Sequence, residues 1–250
     1  MNLFTTLTDF VSICMQQHDP SHNPAHVHRV VSLARTILLG EQRLHHHSDT
    51  NILYDASVVD LAGLLHDIGD RKYLSQVEEI VLRFQKDNYQ DEDQDQDQGQ
   101  DKKEGRRVQP DEMVLQVMIS HGADRQLAEK VQTIVSHVSY TKERADPAAV
   151  RWLIENGYPE LAIVQDADRL DAIGAVGIGR CFTFLGAQGK TFVPEGGEWE
   201  MENAIEHFQE KLEKLEGMMK TQTGREMARV RTKRLLEFRS WWEDEMAIAK

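Results

Sequence analysis

Two adjacent residues carry the clearest chemical signal in the chain. His66-Asp67 closes a segment, Val58 to Leu65, in which nearly every position is apolar. An ionised aspartate is costly to bury without a partner. A divalent cation offsets that cost, and imidazole with carboxylate is a suitable donor set for first-row transition ions; a structural polar cluster is the alternative. Adjacent helical residues point about 100° apart, so both side chains can reach an ion in a groove beside the helix. Asp70 comes one turn later and falls on the same side. That places a carboxylate beside the ion, though not necessarily on it, where it can orient a water or shuttle its proton. His26, just after the turn signal Asn23-Pro24, and Asp168, in Asp166-Ala167-Asp168-Arg169-Leu170-Asp171, extend this dispersed set of His and Asp.

The elements that must position these residues read as helices. Leu3, Leu7, Phe10, Val11 and Cys14 recur at spacings of three and four. Val27, Val30, Val31, Ala34, Ile37 and Leu38 do the same. The segment before His66 is apolar nearly all round, which predicts a central helix. Met113, Val117, Ala128, Val131, Ile134 and Val135 predict two more helices divided near Gly122. Asp146-Pro147 reads as N-cap plus first-turn proline, with Gly157 as the stop. Leu161 to Leu170 continues the core. Ile205, Phe208, Leu212, Leu215 and Met219 predict one long amphipathic helix, and Met227 to Trp242 the last, with Trp241-Trp242 in core packing. The only candidate hairpin is residues 190–200. The expected fold is all-α: one helical domain over residues 1–250, ending in long helices over about 202–248.

Residues 87–107 are mostly Asp, Gln, Glu, Lys and Gly, which predicts a disordered insertion. It carries a net charge of −4 out of −13 for the chain, so the remainder is acidic too. That balance argues against non-specific nucleic-acid binding, because phosphates repel it. Two cysteines, Cys14 and Cys181, form neither a disulfide framework nor a zinc spacing. The N-terminus lacks a signal-peptide pattern, and no apolar stretch is long enough to span a bilayer. A cytoplasmic protein is expected, with the nucleus open, without membrane contact, as a monomer or homodimer. The triplet His45-His46-His47 is a possible metal site or, more simply, a solvated helix end.

Together these motifs resemble the HD-domain metal-dependent phosphohydrolases, and closest a subgroup of small bacterial and fungal HD hydrolases. The resemblance rests on Ser21-His22-Asn23-Pro24-Ala25-His26-Val27-His28-Arg29-Val30, on His66-Asp67-Ile68-Gly69-Asp70 and on Asp166 to Gly174. It extends to Phe208-x-x-Lys211-Leu212-x-x-Leu215 and Thr223-Gly224-Arg225. It covers nearly the whole chain outside the insertion. It implies an HD-type helical bundle with His26, His66, Asp67 and Asp168 as ligands of one divalent ion (Mn, Co, Mg, Ni or Fe). Asp70 falls where related nucleotide hydrolases carry an acidic general acid/base. Asn23 stands where the subgroup has Asp, and serves the turn.

The chemistry implied is phosphoester or phosphoanhydride hydrolysis. A bound metal lowers the pKa of its water and supplies hydroxide near neutral pH. Cations must then offset charge on phosphate oxygens. Arg71 and Lys72 directly follow Asp70. Arg29 and Arg169 neighbour ligand positions, and each is either a phosphate contact or a structural ion pair. In the subgroup, His137 within His-x-Ser-Tyr faces the substrate. His121 and His137 are also the candidates for holding a second metal. Gly174-Ala175-Val176-Gly177-Ile178-Gly179 lacks the dinucleotide spacing and a preceding strand, and reads as a continuing helix with close packing; Arg180 just after it could reach phosphate. The expected substrate is a small phosphorylated compound, a nucleotide first, and the expected reaction is nucleoside triphosphate pyrophosphohydrolysis. The alternatives are a nucleoside 5'-monophosphate phosphatase or phosphodiesterase, a di-iron oxygenase, and a non-catalytic nucleotide-sensing module.

Overall fold

The computed structural model describes residues 2–16, 18–45, 52–69, 73–89, 108–191 and 196–248. Among them it shows helices and no strand, the all-α class expected, so the described part of 190–200 forms no hairpin. Three helices form the frame: α2 (Pro24–His45), α3 (Ala56–Leu65) and α9 (Glu160–Asp171), with α2 packed along both others. Local chemistry sets their starts. Asn23 Oδ1 accepts from the Ala25 N–H at 3.1 Å, with Pro24 as the first residue of α2. Asp55 caps α3 by accepting from Ser57 and Val58. Seven of the ten α3 residues are buried, so this helix is surrounded by protein.

Two hydrophobic clusters flank the frame. On one side, α1 (Leu3–Met15), α4 (Leu74–Tyr89), α5 (Met113–Ser120) and α6 (Arg125–Val135) pack Leu7, Met15, Val77, Met113, Met118 and Ile134 against α3 and the early part of α2. On the other side, α10 (Gly174–Gln188), α11 (Glu202–Glu210) and α12 (Gln222–Ile248) cover the remaining faces of α2 and α9, with Phe208, Leu215 and Leu235 buried. The short helices α7 (Tyr140–Ala145) and α8 (Pro147–Glu155) lead into α9. Asp146 caps α8, as its Asp-Pro sequence predicts. No single helix among the described residues is long and apolar enough to cross a membrane.

Four sequence expectations change. The apolar period through residues 161–179 does not make one continuing helix: the chain bends by 70° between α9 and α10. Gly174 adopts φ +74° there, a left-handed conformation that glycine accepts without strain. The amphipathic segment 202–219 is not one long helix either. It is α11 followed by 3-10 turns at Leu212–Lys214 and Glu216–Met218, and the same apolar residues remain buried. Trp242 joins an aromatic cluster with Phe182 and Phe238, whereas Trp241 is exposed. Finally, α4 runs to Tyr89, three residues into the expected insertion; residues 90–107 lie outside the described residues.

Helix α12 is locked to the frame through its first turn. The buried Asp166 carboxylate accepts from the backbone N–H groups of Lys220 and Thr221 and from the Thr221 hydroxyl. Glu41 of α2 accepts from the Thr223 N–H at 2.8 Å. Gly224 permits this approach, because a Cβ there would collide with Asp166 Oδ2 and Thr221 Oγ1. Gly224→Ala should therefore cost about 1–3 kcal/mol of stability through overpacking, measured as a lower urea midpoint. An unchanged midpoint would show that this close contact does not hold α12.

Candidate metal centre

The frame helices bring their ends together at one place. His26 lies in the first turn of α2. His66 and Asp67 follow the last turn of α3, and Asp168 and Asp171 occupy the last turn of α9. Three separate stretches of sequence thus meet around two imidazoles. His26 and His66 are buried, while the Asp67 and Asp168 side chains keep 20% and 32% exposure. The site therefore has dry walls on the histidine side and an opening on the carboxylate side.

The hydrogen bonds determine which nitrogen of each ring carries the proton. His26 Nδ1 lies 2.7 Å from Asp171 Oδ2, and a carboxylate only accepts, so Nδ1–H donates. His66 Nδ1 likewise donates to the Gly63 carbonyl at 2.9 Å. In the neutral rings both Nε2 atoms then carry lone pairs, and they stand 3.1 Å apart. Burial pulls the His26 imidazole below its ordinary pKa; the hydrogen bond to Asp171 opposes that, and the His66 ring and Arg180 add to it. Two lone pairs cannot satisfy each other. A cation between them can.

The carboxylates complete the donor set. Asp67 places Oδ2 at 3.5 Å from His26 Nε2 and Oδ1 at 3.6 Å from His66 Nε2. Asp168 Oδ1 stands 3.7 Å from each Nε2. Donors about 2.1 Å from a common ion in tetrahedral or octahedral array are separated by about 3.0–3.4 Å. The cluster is thus close to the spacing of a coordination sphere, and His26, His66 and Asp67 form its tightest part, with donor atoms all within 4.8 Å. Nitrogen and oxygen donors without thiolate suit a first-row transition ion.

Asp171 is the residue the sequence reading passed over. It is 1% exposed and receives His26 Nδ1, a bidentate pair from Arg29 at 2.7 and 3.0 Å, and Arg180 at 3.1 Å. Burial alone would raise its pKa; the hydrogen bonds from His26 and Arg29 and the Arg180 charge override that and hold it well below the usual carboxylate range. An ionised Asp171 fixes the His26 tautomer and makes the ring a better donor. Its spacing of three from Asp168 on a helix was the available signal.

The other candidates are distributed as follows. Arg29 engages Asp171 and is 35% exposed. Arg169 points away from the cluster: it is 3% exposed, pairs with Glu143 and donates to the Met218 carbonyl at 3.0 Å. The expectation of a phosphate contact at Arg169 is corrected on that ground, since its guanidinium is committed inside the protein. His121 and His137 each tie Nδ1 to a backbone carbonyl at 2.7 Å, of Val117 and Thr133, and neither enters the cluster of His26, His66 and Asp67. Asp70, Arg71, Lys72, His46 and His47 lie outside the described residues, as does the His45 side chain.

Asp171→Asn keeps the shape of this carboxylate and removes its charge. Metal affinity should weaken about 10–100-fold, the usual cost of losing a partner of a ligating histidine. Competition with a chelator measures it, and wild-type affinity would contradict the role given to Asp171.

Comparison with known proteins places the chain in a family. The HD domain family profile matches residues 25–173, which contain all four candidate ligands. The chain is 31% identical to the Bacillus subtilis protein YpgQ over 229 residues, 92% of this chain and 86% of that one. A crystal structure of B. subtilis YpgQ in complex with ADP superposes with a TM-score of 0.60 at 26% identity, covering 97% of both chains. An HD-superfamily hydrolase from Bacillus thuringiensis shares the fold, with a TM-score of 0.52 at 21% identity over 98% of this chain and 96% of that one. This chain belongs to the HD-domain family, and that membership supports a metal-dependent phosphohydrolase.

Proposed function

We propose that the protein hydrolyses a nucleoside triphosphate to the monophosphate and pyrophosphate at the His26, His66, Asp67 and Asp168 centre. The observation that carries the metal part is the pair of Nε2 atoms 3.1 Å apart, each with its Nδ1 proton already committed. ADP in the related YpgQ structure supports a nucleotide as the substrate class. A bound divalent ion supplies an acidified water and neutralises charge on a phosphoryl oxygen.

The chain's own groups do the rest. In the hydrolysis, a water oxygen bonds to the α-phosphorus, the α–β bridging P–O bond breaks, and pyrophosphate leaves with that bridging oxygen. We assign the water's proton to Asp70, on its spacing from His66-Asp67. Arg71 and Lys72, next in sequence, and Arg29, partly exposed beside Asp171, are the cations we assign to the phosphate chain. His137 is assigned to the substrate side as well. Burial of His26 and His66 keeps water away from the donor nitrogens and strengthens every charge interaction at the site.

Metal-stripped protein reloaded with Mn, Co, Mg, Ni or Fe should hydrolyse nucleoside triphosphates, with pyrophosphate as the product. Release of phosphate and nucleoside from a monophosphate would overturn the proposed reaction. Asp67→Ala should be metal-poor and nearly inactive; stoichiometric metal with normal turnover would refute the ligand set. Asp70→Asn should lose about 10²–10⁴-fold in kcat at unchanged metal content. Wild-type kcat in that variant would remove Asp70 from proton handling.

A further inference from the structure

An arginine beside a phosphohydrolase centre is ordinarily taken as a contact to phosphate. The surroundings of Arg180 point elsewhere. This residue lies within α10, its side chain is 13% exposed, and its guanidinium is engaged in two directions. Nη1 lies 3.1 Å from Asp171 Oδ2, the oxygen that also receives His26 Nδ1. Nε donates to the Ser21 carbonyl at 2.8 Å. Ser21, 1% exposed, gives its N–H and its hydroxyl to Asp19 Oδ1. Asp19 Oδ2 in turn accepts from Gln188 Nε2 at 2.7 Å, and Gln188 is the last residue of α10. The turn through Asp19 to His22 leads into Asn23 and the first turn of α2, where His26 stands. Helix α10 therefore grips both the side-chain partner of His26 and the backbone that delivers His26 to the site.

We propose that Arg180 is a positioning residue for the metal centre: it fixes the His26 ring through Asp171 and through the turn before α2, and it makes no contact with substrate phosphate. The inference rests on His26 being a metal ligand. The guanidinium suits this task because its rigid planar fork holds two acceptors at once; a lysine ammonium is a point donor on a flexible stem. Its guanidinium also shares Asp171 with Arg29, so that carboxylate is gripped from two sides.

The test uses the full-length protein, stripped of metal, as wild type, Arg180→Ala, Arg180→Lys and Gln188→Ala. The readouts are Mn²⁺ affinity by chelator competition, melting temperature without metal, and, at saturating Mn²⁺, KM for ATP and affinity for inorganic pyrophosphate. Arg180→Ala should bind Mn²⁺ about tenfold or more weakly, and Arg180→Lys should recover part of the loss. At saturating Mn²⁺, KM and pyrophosphate affinity should stay within about twofold of wild type, because uniform substrate binding is intact. Wild-type Mn²⁺ affinity together with weakened pyrophosphate binding would overturn the proposal and make Arg180 a phosphate contact. Should Arg180→Ala fail to fold, Gln188→Ala decides: it sits on the surface, and loosening the same turn should weaken Mn²⁺ in the same direction by a smaller factor, whereas unchanged affinity overturns the proposal. A wild type that binds no divalent ion overturns it as well. A wild type that binds Mn²⁺ as described but cleaves no nucleotide removes the proposed reaction and leaves the positioning role standing.

Discussion

Two imidazole nitrogens with their lone pairs facing each other are the constraint on which the rest of the structure turns. His26 and His66 cannot relieve the repulsion by swapping tautomers, since each Nδ1 proton is held by a fixed acceptor, the Asp171 carboxylate or the Gly63 carbonyl. Burial pulls the His26 imidazole below its ordinary pKa. The folded protein therefore carries a local electrostatic defect at the meeting point of three helices. A divalent cation removes that defect, and Asp67 and Asp168 stand close enough to balance its charge.

Most of the fold serves to hold that meeting point still. Helix α3 buries seven of its ten residues in the core, which anchors its C-terminal His-Asp doublet. Helix α9 is fixed from both flanks: Asp166 anchors it to α12, Arg169 to Glu143, and Arg231 of α12 donates to the Leu170 carbonyl at its C-terminal end. These contacts lie on faces of α9 other than the one bearing Asp168 and Asp171. A single helix thereby keeps the contacts that anchor it on faces separate from the one that bears Asp168 and Asp171. The sharp bend at Gly174 then returns α10 past the turn before α2, so that the last helix turn of the ligand frame and the chain entering it are braced by one element.

How much of this was legible in sequence depended on distance along the chain. Local signals were sufficient for α8, which begins with its capping side chain Asp146, and for the central placement of α3, whose composition is apolar nearly all round. The His66-Asp67 doublet was visible because its polarity contradicts its apolar context. Breaks that preserve the apolar period were not visible. Residues 172–174, Ala-Ile-Gly, carry no polar side chain, so the period runs on while the backbone turns through a positive-φ glycine. The 3-10 turns after α11 bury the same leucines a continuous helix would have buried. The polar support of the site was hidden for another reason. Asp171 meets His26 across 145 residues, and Arg180 meets Ser21 across 159; the place of Asp171 one turn after Asp168 hints at the site, but no spacing links either residue to its partner. Arg169, next to a ligand position, illustrates the converse: adjacency in sequence turned its side chain toward the interior.

The most direct test of the central claim is anomalous diffraction from crystals grown with Mn²⁺ or Co²⁺. The account predicts a strong peak between His26 Nε2 and His66 Nε2, within bonding distance of both nitrogens and of carboxylate oxygens from Asp67 and Asp168. No peak there, with the two rings still facing each other, or a peak elsewhere in the molecule, would contradict it.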